Sequence, residues 1–166
     1  MNPRLAALTV AGLIVVFDQW TKLLVRQKLS LSDSITVIPG FFNLVHAENP
    51  GAAFSMLAGA SQAVRSVLLI GLASVIILLL GAGLFGKFHI VTSPVSRWAV
   101  SLVLGGAVGN LIDRVRVGTV TDFLEFYLGN YYWPSFNVAD SAIFCGAVLL
   151  FAEQWLHKPK PEPNVS

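Results

Sequence analysis

The chain has 166 residues, of which 55% are hydrophobic and 12% are charged, and its net charge at pH 7 is +2. Soluble domains carry about 25% charged residues, so this composition excludes an ordinary soluble domain and indicates a polytopic membrane protein. The small net charge gives no basis for nucleic-acid binding. The single cysteine, Cys145, excludes an intramolecular disulfide and a cysteine-based metal cage.

Four apolar segments predict four transmembrane helices, over about residues 5–24, 64–86, 98–115 and 138–156. A hydrocarbon core of about 30 Å needs about 20 helical residues, and each segment approaches or exceeds that length. The first segment ends in a polar run rather than in small residues, so we expect it to be retained rather than cleaved as a signal. Four spans place both termini on one side. Five basic residues fall on that side and six on the other, so charge bias does not orient the chain.

The connections between the helices predict two further features outside the membrane core. The segment over about residues 33–60 contains two β-type runs joined by Pro39-Gly40, a pair that suits a type II turn. We therefore expect a small extracytoplasmic β platform there. Residues of about 117–136 are rich in aromatic side chains, which favour the headgroup level. We therefore expect a short interfacial helix or a lid there, beginning near Asp122.

The predicted fold class is thus an all-α polytopic membrane protein with a β platform and an interfacial aromatic lid segment. Residues 1–157 are expected to form a single four-helix membrane domain. The proline-rich tail over residues 158–166 is expected to be disordered.

Polar and ionisable residues are the candidates for a functional site, because a charge at the centre of a membrane helix costs about 2.5–3.5 kcal/mol. Asp122 follows the third predicted helix and Asp140 begins the fourth, so both reach the same membrane surface. Two carboxylates that lie close together share a proton, so one accepts a proton from water while the other polarises a carbonyl. The alternative interpretation is that the two carboxylates are separate and cap helix N-termini.

Other polar residues have helical spacing. Asn110, Asp113 and Arg114 share one helix face, and Arg114 either pairs with Asp113 or binds a carbonyl or phosphate group of a substrate. Asp18 and Lys22 are spaced for a salt bridge within the first helix, which would also brace the platform. The three histidines are widely separated and form no H-E-x-x-H motif, so neither a metal site nor a cofactor is expected.

Five stretches in order along the chain resemble the lipoprotein signal peptidases, or signal peptidase II family, which are bacterial membrane aspartyl proteases. These stretches are DQWTK at 18–22, NPGAAF at 49–54, GGAVGNLIDR at 105–114, VTDF at 120–123 and FNVAD at 136–140. The resemblance implies an endopeptidase that removes the signal peptide from diacylglyceryl-modified prolipoproteins. The resemblance also implies that the cut lies before the lipidated cysteine and that a dyad of Asp122 and Asp140 activates water.

The same resemblance implies further roles. The residues expected to bind substrate or orient the dyad are Asn49, Gly51, Asn110, Arg114 and Asn137, and those expected to give structural support are Asp18, Lys22 and Asp113. Thr121 stands where a valine is more usual. The protein is expected to be a monomer in the bacterial inner membrane, in contact with membrane lipid. Its termini are expected to be cytoplasmic and its active site to face the periplasm. Globomycin-type antibiotics are expected ligands.

Two other classes of protein remain open on the residues alone. A small proton-coupled four-helix transporter would use Asp122 and Asp140 as proton carriers, although transporters often have internal repeats and none is evident here. A structural assembly factor would use its charges only to pair helices. Cleavage of a lipidated precursor separates the protease from both alternatives.

Overall fold

The computed structural model describes residues 2–51, 61–88 and 91–156. Four helices in these ranges are long and apolar enough to cross a membrane: α1 over Pro3–Lys28, α2 over Gln62–Leu84, α3 over Pro94–Arg116 and α4 over Val138–Leu156. The prediction of four transmembrane helices is confirmed. Histidines 89 and 157, the tail over 158–166 and residues 52–60 of the predicted platform lie outside the described residues.

The helices begin at polar caps, most of them a few residues before the apolar segments. The side chain of Asn2 accepts a hydrogen bond from the backbone N–H of Arg4 at the start of α1. Ser93 and Ser96 form a reciprocal capping box at the start of α3, and Pro94 occupies its first turn. Caps satisfy backbone N–H groups that have no partner inside the helix. Ser61 caps α2 in the same way.

Helix α3 is the centre of the bundle. It packs against each of the other three helices, and 56% of its most apolar stretch is buried, against 17% for each of the others. Glycines allow this close approach. A Cβ atom at Gly105 would lie 2.8 Å from the carbonyl oxygen of Ala11, and one at Gly109 would lie 2.6 Å from Oδ2 of Asp18. Larger residues at these positions would force α1 away from α3.

The outer faces of the bundle are apolar and exposed. Leu13, Val67 and Phe151 each expose more than 60% of their surface. Such faces suit contact with lipid tails, which are as apolar as the side chains themselves.

A four-stranded antiparallel sheet lies at one end of the bundle, with the strand order β1-β2-β3-β4. Its strands are β1 over Ser34–Ile38, β2 over Phe42–Asn49, β3 over Val120–Leu128 and β4 over Tyr131–Tyr132. The hairpin of β1 and β2 confirms the predicted β-type runs. The sheet is larger than predicted, because its other two strands come from the connection between α3 and α4.

The expectation of a short helix beginning near Asp122 is wrong, because that segment is strand β3. Its residues pair with β2 from Phe42 opposite Phe126 to Asn49 opposite Val120. Aromatic and β-branched residues suit a half-buried strand as well as a membrane interface. Here the segment forms a strand because it pairs along the edge of β2. The ring of Phe126 stacks on that of Phe42, with their centroids 4.8 Å apart. Tyr131 and Trp133, beyond β3, remain mostly exposed.

Candidate active site

A cavity of about 670 Å³ opens where α2, α3 and α4 meet the sheet. The predicted site residues that line it are Asn49, Gly51, Asn110, Arg114, Asp122 and Asp140. The wall along the helices is apolar and consists of Leu69, Leu72, Ala73, Ile76, Val103, Ala107 and Ile143. Residues 133–136, which follow β4, complete the lining. Six of the predicted site residues therefore lie on one cavity that joins a polar end to an apolar wall.

Asp122 projects from β3 and is almost completely buried, with 2% of its surface exposed. Its Oδ1 atom accepts a hydrogen bond of 2.7 Å from Nδ2 of Asn137. Its Oδ2 atom accepts one of 2.9 Å from Nδ2 of Asn49. Asp122 lies in a strand and caps no helix, so the capping interpretation does not apply to it.

Asp140 lies in the first turn of α4. Its Oδ1 atom accepts a hydrogen bond of 2.7 Å from Nδ2 of Asn110. Its Oδ2 atom accepts one of 3.3 Å from the backbone N–H of Asn137, whose own Oδ1 accepts from the backbone N–H of Asp140 at 2.9 Å. Asp140 therefore takes part in the cap of α4, as the alternative interpretation expected, and it also lines the cavity.

Two amide side chains connect the carboxylates. Nδ2 of Asn137, which donates to Asp122, also lies 3.3 Å from Oδ1 of Asn110, and Nδ2 of Asn110 donates to Asp140. Asn137 is fully buried. The two amides therefore fix the position of one carboxylate relative to the other.

Arg114 lines the same cavity and brings a positive charge to it. Its guanidinium interacts electrostatically with Asp140 and Asp122, in that order of strength, and its Nη1 atom donates to the carbonyl oxygen of Asn110 at 3.4 Å. Asp113 makes its ion pairs with Lys22 and Arg26 instead. Of the two predicted roles of Arg114, the geometry favours the one that faces the cavity.

A buried cluster of charges lies behind the cavity. Nζ of Lys22 lies 2.8 Å from Oδ2 of Asp18 and 2.9 Å from Oδ2 of Asp113, and it donates to Oδ1 of Asn110 at 2.9 Å. Three oxygens therefore lie within 2.9 Å of an ammonium group that has three donors. Oδ1 of Asp18 accepts from the backbone N–H of Ala139 at 2.9 Å. The predicted salt bridge within α1 is confirmed, and the cluster also ties α1 to α3 and α4.

Some residues of this region were missed by sequence analysis. Gln19 donates from Nε2 to Oδ1 of Asp113 at 3.1 Å and to the carbonyl oxygen of Gly109. Arg26 contacts Oδ1 of Asp113 at 3.1 Å. Arg26 follows Asp18 and Lys22 at the same four-residue spacing, so a polar stripe along α1 was visible in the sequence.

The environment of Asp122 changes its acidity. Burial raises the pKa of Asp122 from its ordinary value of 3.8 to about 6, and the negative charge of Asp140 adds to the rise. The hydrogen bonds from Asn49 and Asn137 oppose it. A carboxyl group with such a pKa is half protonated at about pH 6, so it holds a proton at a higher pH than an ordinary aspartate does.

The raised pKa of Asp122 predicts a pH-dependent stability. A carboxyl group whose pKa is higher in the folded protein contributes stability that is fully present below about pH 3.8 and is lost as the pH rises through about 6. A shift of about two units corresponds to about 3 kcal/mol. We expect Asp122→Asn to melt at a higher temperature than wild type at pH 7.5 and to lose this advantage at pH 4. A difference in melting temperature between the two proteins that stays constant from pH 4 to pH 7.5 would contradict the prediction. Glu125→Gln, on the same strand, is the matched control.

Comparisons with known proteins agree on one family. The sequence model described as signal peptidase (SPase) II matches residues 10–156. The lipoprotein signal peptidase of Solibacter usitatus is 43% identical over 164 residues, which are 98% of each chain. That of Desulforapulum autotrophicum is 48% identical over 140 residues, or 84% of this chain and 85% of the relative.

A solved structure supports the same assignment. It is described as a bacterial membrane enzyme determined by the in meso method at 1.9 Å resolution. It is 30% identical and superposes with a TM-score of 0.79 over 93% of this chain and 94% of its own. The chain belongs to the signal peptidase II family and is a multi-pass membrane protease.

Proposed function

We propose that this protease removes the signal peptide from prolipoproteins whose cysteine carries a diacylglyceryl group. It cuts the peptide bond before that cysteine, and Asp122 and Asp140 activate the attacking water. The observation that carries the proposal is the single cavity on which two carboxylates from different elements lie at the polar end of an apolar wall. The relatives named lipoprotein signal peptidases support the substrate class.

The cavity suits a substrate that is itself partly embedded in the membrane. A signal peptide is an apolar segment, and a diacylglyceryl group adds lipid tails. Leu69, Leu72 and Ile76 lie along one face of α2 and provide an apolar wall for such groups. The scissile bond is then held at the polar end, where Asn49 and Arg114 face the carboxylates. Holding the reactants in this way contributes several kcal/mol to lowering the barrier.

The proposed chemistry needs one proton on the carboxylate pair. The ionised aspartate takes a proton from water, whose oxygen attacks the carbonyl carbon of the residue before the cysteine. The protonated aspartate donates to the carbonyl oxygen, and a tetrahedral intermediate forms. The C–N bond then breaks, the amine nitrogen of the cysteine takes a proton, and the new carboxyl group leaves with the signal peptide. The raised pKa of Asp122 supports a pair that holds this proton near neutral pH.

The proposal includes a location and a state of assembly. The sheet end of the bundle faces the periplasm from the bacterial inner membrane, and the termini are cytoplasmic. The protein acts as a monomer in contact with membrane lipid, and globomycin-type lipopeptides compete for the cavity. Membership of a protease family does not favour the alternative of a proton-coupled transporter.

Cleavage of a defined precursor tests the function. We expect the purified protein to cut a precursor with a diacylglyceryl cysteine and to leave the same precursor without lipid largely intact. Mass spectrometry of the products locates the cut, which is expected immediately before the cysteine. Absence of cleavage, a cut elsewhere or equal rates on the two precursors would contradict the proposal.

A further inference from the structure

Strand β3 carries a second set of polar contacts beside Asp122. The hydroxyl of Thr121 donates to Oε1 of Glu48 at 2.8 Å and accepts from Nε of Arg26 at 2.7 Å. The hydroxyl of Thr119 donates to Oε2 of the same glutamate. Thr121 is fully buried. We call these four residues, Arg26, Glu48, Thr119 and Thr121, the Thr121 cluster.

The Thr121 cluster and the cavity lie on opposite faces of one strand. Successive side chains of a strand point to opposite faces, so Thr121 and Asp122 lie on opposite faces of β3. Thr119, just before the strand, donates to the same glutamate as Thr121. Asp122 lines the cavity. Within the described ranges, no member of the Thr121 cluster lines the cavity.

The backbone ladder that holds this part of β3 is irregular on the β2 side, and on the other side the backbone N–H groups of Phe123 and Leu124 donate to the carbonyl oxygen of Phe136. The pairing of β2 with β3 is interrupted by a register shift between Leu44 and Ala47. Asp122 pairs with Ala47, and Thr121 pairs with Glu48, so both lie directly beyond the interruption. Bulges near active sites commonly set the direction of a side chain. The Thr121–Glu48 hydrogen bond therefore secures β3 where the backbone ladder resumes.

A continuous chain of polar contacts connects the Thr121 cluster to the second carboxylate. Nη2 of Arg26 lies 3.1 Å from Oδ1 of Asp113, and Oδ2 of Asp113 lies 2.9 Å from Nζ of Lys22. Lys22 donates to Asn110, which donates to Asp140. These contacts therefore link Asp140 to Thr121, which is the residue next to Asp122.

The charge of Glu48 is maintained by its partners. Burial raises the pKa of Glu48, but the hydrogen bonds from Thr119, Thr121 and His46 and the charge of Arg26 lower it by more. Glu48 is therefore an anion near neutral pH. Its Oε1 atom lies 4.0 Å from Nε of Arg26, which donates to Thr121.

We propose that Arg26, Glu48 and Thr121 are positioning residues that fix β3 against α1 and so hold Asp122 in register with Asp140. This inference rests on the proposed function, because it assumes that Asp122 and Asp140 activate water and must lie in register to do so. Since these side chains lie outside the cavity, we expect the loss of their contacts to lower kcat and to leave KM unchanged.

Substitutions at Thr121 test the inference with almost no change of volume. Thr121→Val removes only the hydroxyl, and we expect it to lower kcat about tenfold or more with KM within about twofold, because a small misplacement of a reacting group is costly. Thr121→Ser keeps the hydroxyl and is expected to retain most of the activity. Thr36→Val, on the exposed edge strand β1, is the matched control. Thermal melting shows whether each variant is folded.

Glu48→Gln gives an independent test if Thr121→Val does not fold. It keeps an acceptor for Thr121 and removes the negative charge that faces Arg26, so kcat is expected to fall while KM is unchanged. Glu125→Gln, on the same sheet, is its control. A wild-type kcat in folded Thr121→Val, a Thr121→Ser as defective as Thr121→Val, or a rise in KM alone would overturn the inference. If wild type fails to cut the lipidated precursor, the proposed function fails instead.

Discussion

Asp122→Asn and Asp140→Asn are each expected to lower the rate of precursor cleavage by roughly 10²–10⁴-fold, the usual contribution of a positioned acid or base. Asparagine has nearly the same shape as aspartate and keeps an oxygen that accepts from Asn137 or Asn110. It neither takes a proton from water nor supplies one to a carbonyl. The measurement is a single-turnover rate on a precursor with a diacylglyceryl cysteine.

Folding is checked for each variant by its melting temperature. Asp33→Asn is the matched control, because Asp33 is exposed and its carboxylate accepts a hydrogen bond from the backbone N–H of Ser30, outside the cavity. Its rate is expected to equal that of wild type. If either Asp122→Asn or Asp140→Asn retains substantial activity, the two-aspartate mechanism is wrong, and Asp113 becomes the next candidate.

Lys22→Met is expected to destabilise the protein by about 3–5 kcal/mol, because removal of one partner leaves buried charges uncompensated. Lys22 and Asp18 are fully buried, and Asp113 is equally inaccessible. Methionine fills a similar volume, so the loss reports on charge rather than on packing. The measurement is denaturant- or heat-induced unfolding in detergent.

The design of this experiment separates charge from position in the helix. Lys28→Met lies in the last turn of the same helix and is exposed, so we expect its stability to stay close to that of wild type. Adding Asp18→Asn and Asp113→Asn to Lys22→Met is expected to restore part of the loss, since the uncompensated charges are then gone. Equal melting of Lys22→Met and Lys28→Met would contradict the prediction.

The fold was predictable where hydropathy alone determines structure. A segment that crosses a membrane must satisfy its backbone within one helix, so a long apolar run predicts a helix directly. The fourth helix begins where its apolar run begins, at Val138. The other helices begin earlier than their apolar runs, because the caps Asn2, Ser61 and Ser93 are polar. Strand β3 was not recognised, because its aromatic residues suit two environments and only the edge of β2 selects one.

The site was predictable where polar residues interrupt apolar sequence. Asp122, Asp140 and Asn110 were found because such residues are costly near a membrane, and the structure brings them to one cavity. Glu48 and Gln19 were missed, because their partners are far away in the chain. Glu48 contacts Thr121 across 73 positions, and Gln19 contacts Asp113 across 94. Spacing within a helix reveals near neighbours only, so these contacts require the tertiary fold.

The distribution of the carboxylates along the chain has a consequence for biosynthesis. Asp122 belongs to the sheet, whereas Asp140 and the amide of Asn137 enter with the first turn of α4. Asp18 accepts a hydrogen bond from Ala139 only when α4 is in place. Since a chain is made from its N-terminus, the pair is incomplete until α4 has been synthesised and inserted. A nascent chain in which α4 is not yet inserted therefore lacks the pair, and the membrane is not exposed to an assembled site at that stage.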